Sequence, residues 1–135
     1  MVNREKLFTP EAATRSLPLV GRIVEDILTT GQRMRAIGTV GNPTADQVQE
    51  YAKLTRSLRE LFEEIEDLGC YYKDWNFTVG LVDFPARING RKVLLCWRSD
   101  EPELRYYHDS KDGYAGRREI PRALLLGGTT TPLNV

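Results

Sequence analysis

His108 is the only histidine in the chain, and Asp109 follows it directly. A carboxylate beside an imidazole can fix the tautomer of the ring and increase its basicity. Neighbouring residues of a β-strand point to opposite faces of the sheet, so these two side chains meet at one atom only if the strand ends between them. Two interpretations stay open. His108 is either a partly buried structural residue at the rim of a sheet or a ligand for a metal ion or anion, with Asp83 or Glu11 as further carboxylates.

A glycine-rich loop over residues 112–118 ends in two arginines, Arg117 and Arg118. Glycine permits positive φ, and successive backbone N–H groups in such a turn can form a concave anion site. The planar guanidinium group of arginine binds a carboxylate or a phosphate through two parallel hydrogen bonds. The loop therefore predicts either a site for a small anion or a plain turn whose arginines are solvated.

The composition excludes several classes of chemistry. A single histidine cannot supply an H-E-x-x-H zinc site, a two-histidine hydrolase or a zinc knuckle, and the familiar glycine-rich phosphate motifs and G-x-S-x-G do not occur. Cys70 and Cys96 form no C-x-x-C pair, so we interpret both as unreactive thiols of a cytoplasmic protein. Nineteen basic residues balance nineteen acidic ones, and no apolar run is long enough to span a bilayer. We therefore expect neither nucleic acid nor a membrane as a partner.

These candidate residues must be positioned by a single domain, because the chain has 135 residues of ordinary globular composition. Thr9 and Pro10 indicate the start of a helix that runs to about Ile37, and Thr44 with Gln47 indicates a second helix that stops at Gly69. Each helix has one apolar seam with helical spacing. The first seam is Ala13, Leu17, Val20, Val24, Ile27 and Met34; the second is Val48, Tyr51, Leu54, Leu58, Leu61, Ile65 and Leu68. The pattern predicts an antiparallel helical hairpin over about residues 9–69.

From Cys70 onward the hydrophobic period changes to two. Asn89-Gly90 between two apolar runs is typical of a tight hairpin turn, which joins strands 80–88 and 91–99. This turn places Pro85 opposite Leu94 at a position that makes no hydrogen bond within the pair, so its missing N–H is tolerable on an edge strand. One face then carries Val82, Phe84, Ala86, Ile88, Val93, Leu95 and Trp97 toward the helices, and the other carries Asp83 opposite Cys96.

A third strand is predicted over residues 103–109. If Arg98 pairs with Glu103, Leu104 and Tyr106 join the apolar face with His108 at its rim, and Arg105, Tyr107 and Asp109 join the polar face. The predicted fold is α+β: an antiparallel two-helix hairpin packed on a three-stranded antiparallel β-meander over about residues 78–110. A loop and a flexible tail follow over about residues 111–135.

Several segments resemble one family. The segments 8–13 and 17–20, Gly80 to Arg87, 95–98, 107–109 and the loop 113–117 are similar to sequences of a bacterial family catalogued only as domain of unknown function 2203. The resemblance covers roughly residues 6–120. It implies a small cytoplasmic bacterial protein without an established activity, so it supplies no catalytic residues.

The leading functional hypothesis is a non-enzymatic structural or interaction module that forms a homodimer through its helical hairpin. Helices of about 25 residues reach roughly 38 Å, whereas strands of about eight residues cover about 26 Å, so part of each apolar seam extends beyond the sheet. The acidic cluster at residues 60–67 either stays solvated or meets basic residues of the sheet or of a second subunit.

The alternative hypothesis is a metal- or anion-binding protein, with a hydrolase as one form, whose site lies near His108 at one end of the sheet. This hypothesis assigns no catalytic residue and no organic cofactor. The ligand of the site is a divalent metal ion or a small anion. Its candidate residues are Glu11, Asp83, Arg98, His108, Asp109 and Arg117.

Overall fold

The computed structural model describes residues 5–125, and the predicted tail beyond them lies outside the described residues. The fold is α+β, as the sequence predicts. Its elements in chain order are helix α1 (Pro10–Gly38), helix α2 (Ala45–Asp67), strands β1 (Tyr71–Tyr72), β2 (Leu81–Ile88), β3 (Arg91–Arg98) and β4 (Tyr106–His108), a 3-10 turn (Tyr114–Gly116), strand β5 (Arg118–Glu119) and helix α3 (Arg122–Leu125).

Local signals in the sequence start and stop the two long helices. The Thr9 hydroxyl accepts a hydrogen bond from the Ala12 N–H at 3.0 Å. At α2, Thr44 and Gln47 form the reciprocal capping box. Gly69, at φ 94°, adopts the left-handed conformation that ends α2. The two helices pack together as an antiparallel hairpin.

Parts of the apolar seams stay uncovered at the tip of the hairpin. Within α2 only Leu58 and Ile65 are buried, whereas Val48 is 55% exposed and Tyr51 40% exposed. These two side chains line a shallow cleft of about 180 Å³ together with Val40 and Pro43. The hairpin tip therefore extends beyond the layer that the sheet covers.

The β2–β3 hairpin has the predicted register, with Asp83 paired to Cys96 and Pro85 paired to Leu94. Asn89 and Gly90 both have positive φ, as the tight turn requires. The prediction that β2 is an edge strand is wrong. β1 pairs with β2 on the other side, and the backbone N–H of Phe8 donates to the Pro85 carbonyl at 2.7 Å.

Within residues 5–125, the sheet has five strands in the order β1-β2-β3-β4-β5, not three. β1 and β5 have two residues each, and so short a segment shows no alternation in the sequence. β5 and α3 lie where the sequence predicts only a loop. All the strand pairs of this sheet are antiparallel.

The predicted register of β4 is wrong by one residue. Tyr106 pairs with Cys96 and His108 pairs with Leu94. A slip of one residue moves every side chain of a strand to the opposite face, so Tyr106 and His108 lie on the polar face and Tyr107 on the helix face. The strand begins only at Tyr106, because the connection after β3 first closes a turn from the Glu101 N–H to the Arg98 carbonyl. Leu104 is buried as expected, but from this connection and not from a strand.

The hydrophobic core lies between α1 and the helix face of the sheet. It contains Val20, Val24, Ile27, Val82, Phe84, Ala86, Leu95, Trp97, Leu104 and Leu124 among its members. Among residues 5–125, no helix combines the length and the apolar character needed to cross a membrane. The opposite side of the sheet, which we call the outer face, carries the polar cluster described next.

Candidate functional site

Three neighbouring strands each place one polar side chain at the centre of the outer face. Asp83 of β2 pairs with Cys96 of β3, and His108 of β4 pairs with Leu94, two residues from Cys96 along β3 and on the same face. All three are nearly inaccessible, with exposed fractions of 1%, 2% and 2% respectively. A carboxylate oxygen, the Cys96 sulfur and a ring nitrogen lie within 4.8 Å of one another. We call Asp83, Cys96 and His108 the outer-face cluster.

The hydrogen bonds of His108 define which nitrogen faces the cluster. Its Nδ1 lies 2.8 Å from the backbone carbonyl of Asp109, an acceptor only, so Nδ1 carries the proton. In the neutral ring, Nε2 then has a free lone pair, and it lies 3.3 Å from Asp83 Oδ1. A lone pair facing a carboxylate oxygen in a buried place is unfavourable unless a proton or a metal ion lies between them. The distance is longer than the roughly 2.7–2.9 Å typical of a charge-assisted N–H···O bond.

Cys96 supplies the third donor and is a thiol in this environment. Burial, the charge of Asp83 and a hydrogen bond to Asp83 together raise the pKa of Cys96 to about 12. Burial alone accounts for most of the similar rise, to about 12, in the pKa of Cys70. Cys70 belongs to the hydrophobic core and so serves as a matched control for the outer-face thiol.

Lys73 connects the outer-face cluster to solvent. Its Nζ lies 2.8 Å from Asp83 Oδ2, while its side chain is 48% exposed. The backbone N–H of Lys73 donates to the Leu81 carbonyl, which holds the residue beside β2 just after β1 ends. The two oxygens of Asp83 are thus used differently: Oδ2 faces the ammonium group and Oδ1 faces His108.

Arg117 fixes the glycine-rich loop against the same face. Its guanidinium group lies 4.1 Å from the Tyr106 ring centre and 4.6 Å from that of Tyr114. It donates to Glu101 Oε1 at 2.6 Å and to the Cys96 carbonyl at 3.2 Å. Burial is the largest single effect and lowers the pKa of Arg117, but the hydrogen bond to Glu101 and the charges of Glu101, Cys96 and Tyr114 together outweigh it, so the pKa of Arg117 is raised. Arg117 is therefore engaged internally rather than held free for an anion.

A family model for an uncharacterized conserved protein, DUF2203, matches residues 6–120. The chain belongs to this family. The matched range contains the whole outer-face cluster together with Lys73, Glu101 and Arg117. No curated protein and no solved structure matches the chain.

In this DUF2203 chain, the structure brings four of the six predicted site residues to one face. Asp83 and His108 are in contact, and Arg98 and Arg117 both reach Tyr114 on the outer face. The other two lie elsewhere. The Asp109 carboxylate pairs with Arg91 and Arg118, and Glu11 pairs with Arg15 on α1.

Sequence reasoning missed three members of this DUF2203 site: Cys96, Lys73 and Glu101. The hairpin register already placed Cys96 opposite Asp83, and that pairing was the available signal for a second donor. His108 could not be added to the pair while β4 was out of register by one residue. Lys73 follows the two-residue strand β1, and Glu101 lies in the turn after β3. Neither segment is long enough for a periodic pattern to show which face of the sheet its side chains occupy.

Proposed function

We propose that this protein binds a divalent transition metal ion through Asp83 Oδ1, Cys96 Sγ and His108 Nε2. The contact between Nε2 and Oδ1 carries the proposal, because it brings a ring nitrogen and a carboxylate oxygen to 3.3 Å of each other in a buried position. Zinc bonds of about 2.0–2.2 Å in a tetrahedron separate two such ligand atoms by about 3.3–3.5 Å. The spacing therefore suits a shared metal better than a direct hydrogen bond.

The donor chemistry favours zinc over calcium or magnesium. Thiolate and imidazole are ligands of zinc and of similar transition metals, whereas calcium and magnesium take oxygen ligands. The partners of the donors support the same choice: the Asp109 carbonyl holds the proton on Nδ1, and Lys73 binds the second oxygen of Asp83. Such outer contacts orient metal ligands and fix the histidine tautomer. Binding requires that the Cys96 thiol release its proton to solvent.

The number of donors favours a site with one open position. Among residues 5–125 the cluster offers three ligand atoms, and zinc commonly takes four. Three protein ligands plus water or an external ligand is the arrangement of catalytic zinc sites, whereas structural zinc sites have four protein ligands. This supports the ligand-binding hypothesis over a purely structural role.

Metal titration tests the proposal directly. We expect the purified protein to bind one Zn²⁺ or Co²⁺ per chain, and the Co²⁺ form to show a thiolate-to-cobalt charge-transfer absorption. Asp83→Asn and His108→Gln should weaken binding, and Cys96→Ser should also remove the charge-transfer band. Cys70→Ser is the control, since it removes an equally buried thiol outside the cluster, and it should bind as wild type does. Absence of stoichiometric binding, or equal binding by wild type and Cys96→Ser, would overturn the proposal.

A second candidate function is self-association through the hairpin tip, as the sequence predicts. The exposed side chains of Val40, Val48 and Tyr51 support it, because they line one apolar cleft beyond the sheet. Sedimentation at tens of micromolar should then give a dimer for wild type and a monomer for Val48→Glu. A monomeric wild type would end this proposal and leave the metal site unaffected.

A cytoplasmic location is also a proposal. Both cysteines are free and buried, and neither is engaged in a disulfide. Free thiols persist in a reducing compartment, which supports this location. Fractionation of cells that express the protein, followed by immunoblotting, tests it, and recovery outside the cytoplasm would contradict it.

A further inference from the structure

We infer that the open position of the metal site takes a small oxyanion, which the Lys73 ammonium group binds at the same time. The expected ligand is a carboxylate or a phosphate with one oxygen on the metal and a hydrogen bond from Nζ. This inference rests on the metal site proposed above and adds the class of ligand that the site accepts.

The charge balance at the cluster supports an anion over a neutral ligand. Without metal, Lys73 neutralises Asp83 at 2.8 Å. With metal, the two positive charges of the ion are balanced by the carboxylate of Asp83 and the thiolate of Cys96, while His108 is neutral. The charge of Lys73 then has no counterpart within the cluster. An anionic fourth ligand removes this imbalance.

Lys73 is the cation of this face that metal binding would release. Three other cations of the outer face are paired with carboxylates outside the cluster. These pairs are Lys92 with Glu5, Arg98 with Asp100 and Arg117 with Glu101. Each of them keeps its partner when a metal binds, whereas Lys73 shares its partner with the ion.

The position of Lys73 also provides access from solvent. The three donors of the cluster are at least 98% buried, but the Lys73 side chain is 48% exposed and touches Asp83. An ammonium group has three donors, and only one is needed for Asp83. The others remain available for an anion that enters along the lysine side chain.

Anion titration of the Co²⁺-loaded protein tests the inference, with acetate and inorganic phosphate as probes and the cobalt absorption as readout. We expect saturable spectral changes in wild type. Lys73→Met, measured at a Co²⁺ concentration that saturates its own site, should raise the anion dissociation constant about tenfold or more, which corresponds to the loss of one charge-assisted hydrogen bond. Lys73→Arg should restore part of the anion affinity. Lys92→Met is the matched control, since Lys92 is a half-exposed lysine of the same face, and it should leave anion binding unchanged.

The outcomes separate the two proposals. If Co²⁺ binds with its charge-transfer band but neither anion alters the spectrum, or if Lys73→Met responds as wild type does, the anion inference is wrong and the metal site stands. If Co²⁺ does not bind, both are wrong. A response to phosphate alone or to acetate alone supports the inference and identifies which oxyanion fits.

Discussion

Replacing His108 by glutamine should abolish the stabilisation of this protein by zinc. His108 is 2% exposed, and its Nε2 is one of the three proposed donors. A ligand present at a hundredfold its dissociation constant adds about 2.7 kcal/mol to the free energy of unfolding. With an unfolding entropy of about 2.1 cal/mol/K per residue, that free energy raises the Tm of a 135-residue chain by about 9–10 °C. We expect this rise in wild type and none in His108→Gln.

Without metal, His108→Gln should be less stable than wild type by about 1–3 kcal/mol, because the partly buried Asp109 carbonyl loses the N–H of the imidazole. The assay is thermal unfolding followed by circular dichroism, with zinc and with a chelator, for both proteins. Cys70→Ser should keep the full zinc effect and so controls for nonspecific binding to thiols. If His108→Gln shows the same zinc-dependent rise as wild type, the ring is not a ligand. Because Cys96→Ser removes a different donor, it repeats the test should the first variant fold poorly.

Three further predictions concern the fold. Trp97→Ala should lower the free energy of unfolding by about 3–5 kcal/mol in urea titrations, because Trp97 is 7% exposed, packs in the core and donates from Nε1 to the Glu101 carbonyl at 3.1 Å. Near-native stability would contradict this placement. Gly31→Ala should lower the free energy of unfolding by about 1–3 kcal/mol, since the added methyl would clash with the Phe77 ring. Gly41→Ala would meet nothing within 4 Å and should cost much less. Burial raises the pKa of Cys70 to about 12, so folding favours its thiol form. The contribution of this thiol to stability should be complete below about pH 8.5 and should fall as the pH rises toward 12. Between pH 8 and pH 10.5, the free energy of unfolding should therefore decrease less in Cys70→Ala than in wild type.

The parts of the fold that local chemistry determines could be predicted from the sequence. Thr9, Thr44 and Gly69 set helix ends through contacts within a few residues, and the structure has each contact. The Asn89-Gly90 turn joins its strands with no freedom in register, so every β2–β3 pair could be assigned. These features need no knowledge of the rest of the molecule.

The candidate site could not be predicted because it depends on pairings that no local signal sets. The connection between β3 and β4 is long enough to allow more than one register, and an error of one residue moved His108 to the wrong face. The face of Cys96 was assigned correctly, but a thiol opposite one carboxylate gives no reason to expect a metal. β4 in its actual register is what brings the imidazole of His108 next to Asp83 and Cys96.

The edges of this sheet have a consequence for the resistance of the folded protein to aggregation. An unpaired strand edge can recruit a strand of another molecule and so start aggregation. Here the two longest strands, β2 and β3, are interior, and the outermost strands β1 and β5 have two residues each. Phe8 pairs with the part of the β2 edge that β1 does not cover, and Pro85 has no N–H with which to bond a strand of another molecule. The short segment around Phe8 thus protects the β2–β3 hairpin from intermolecular strand pairing.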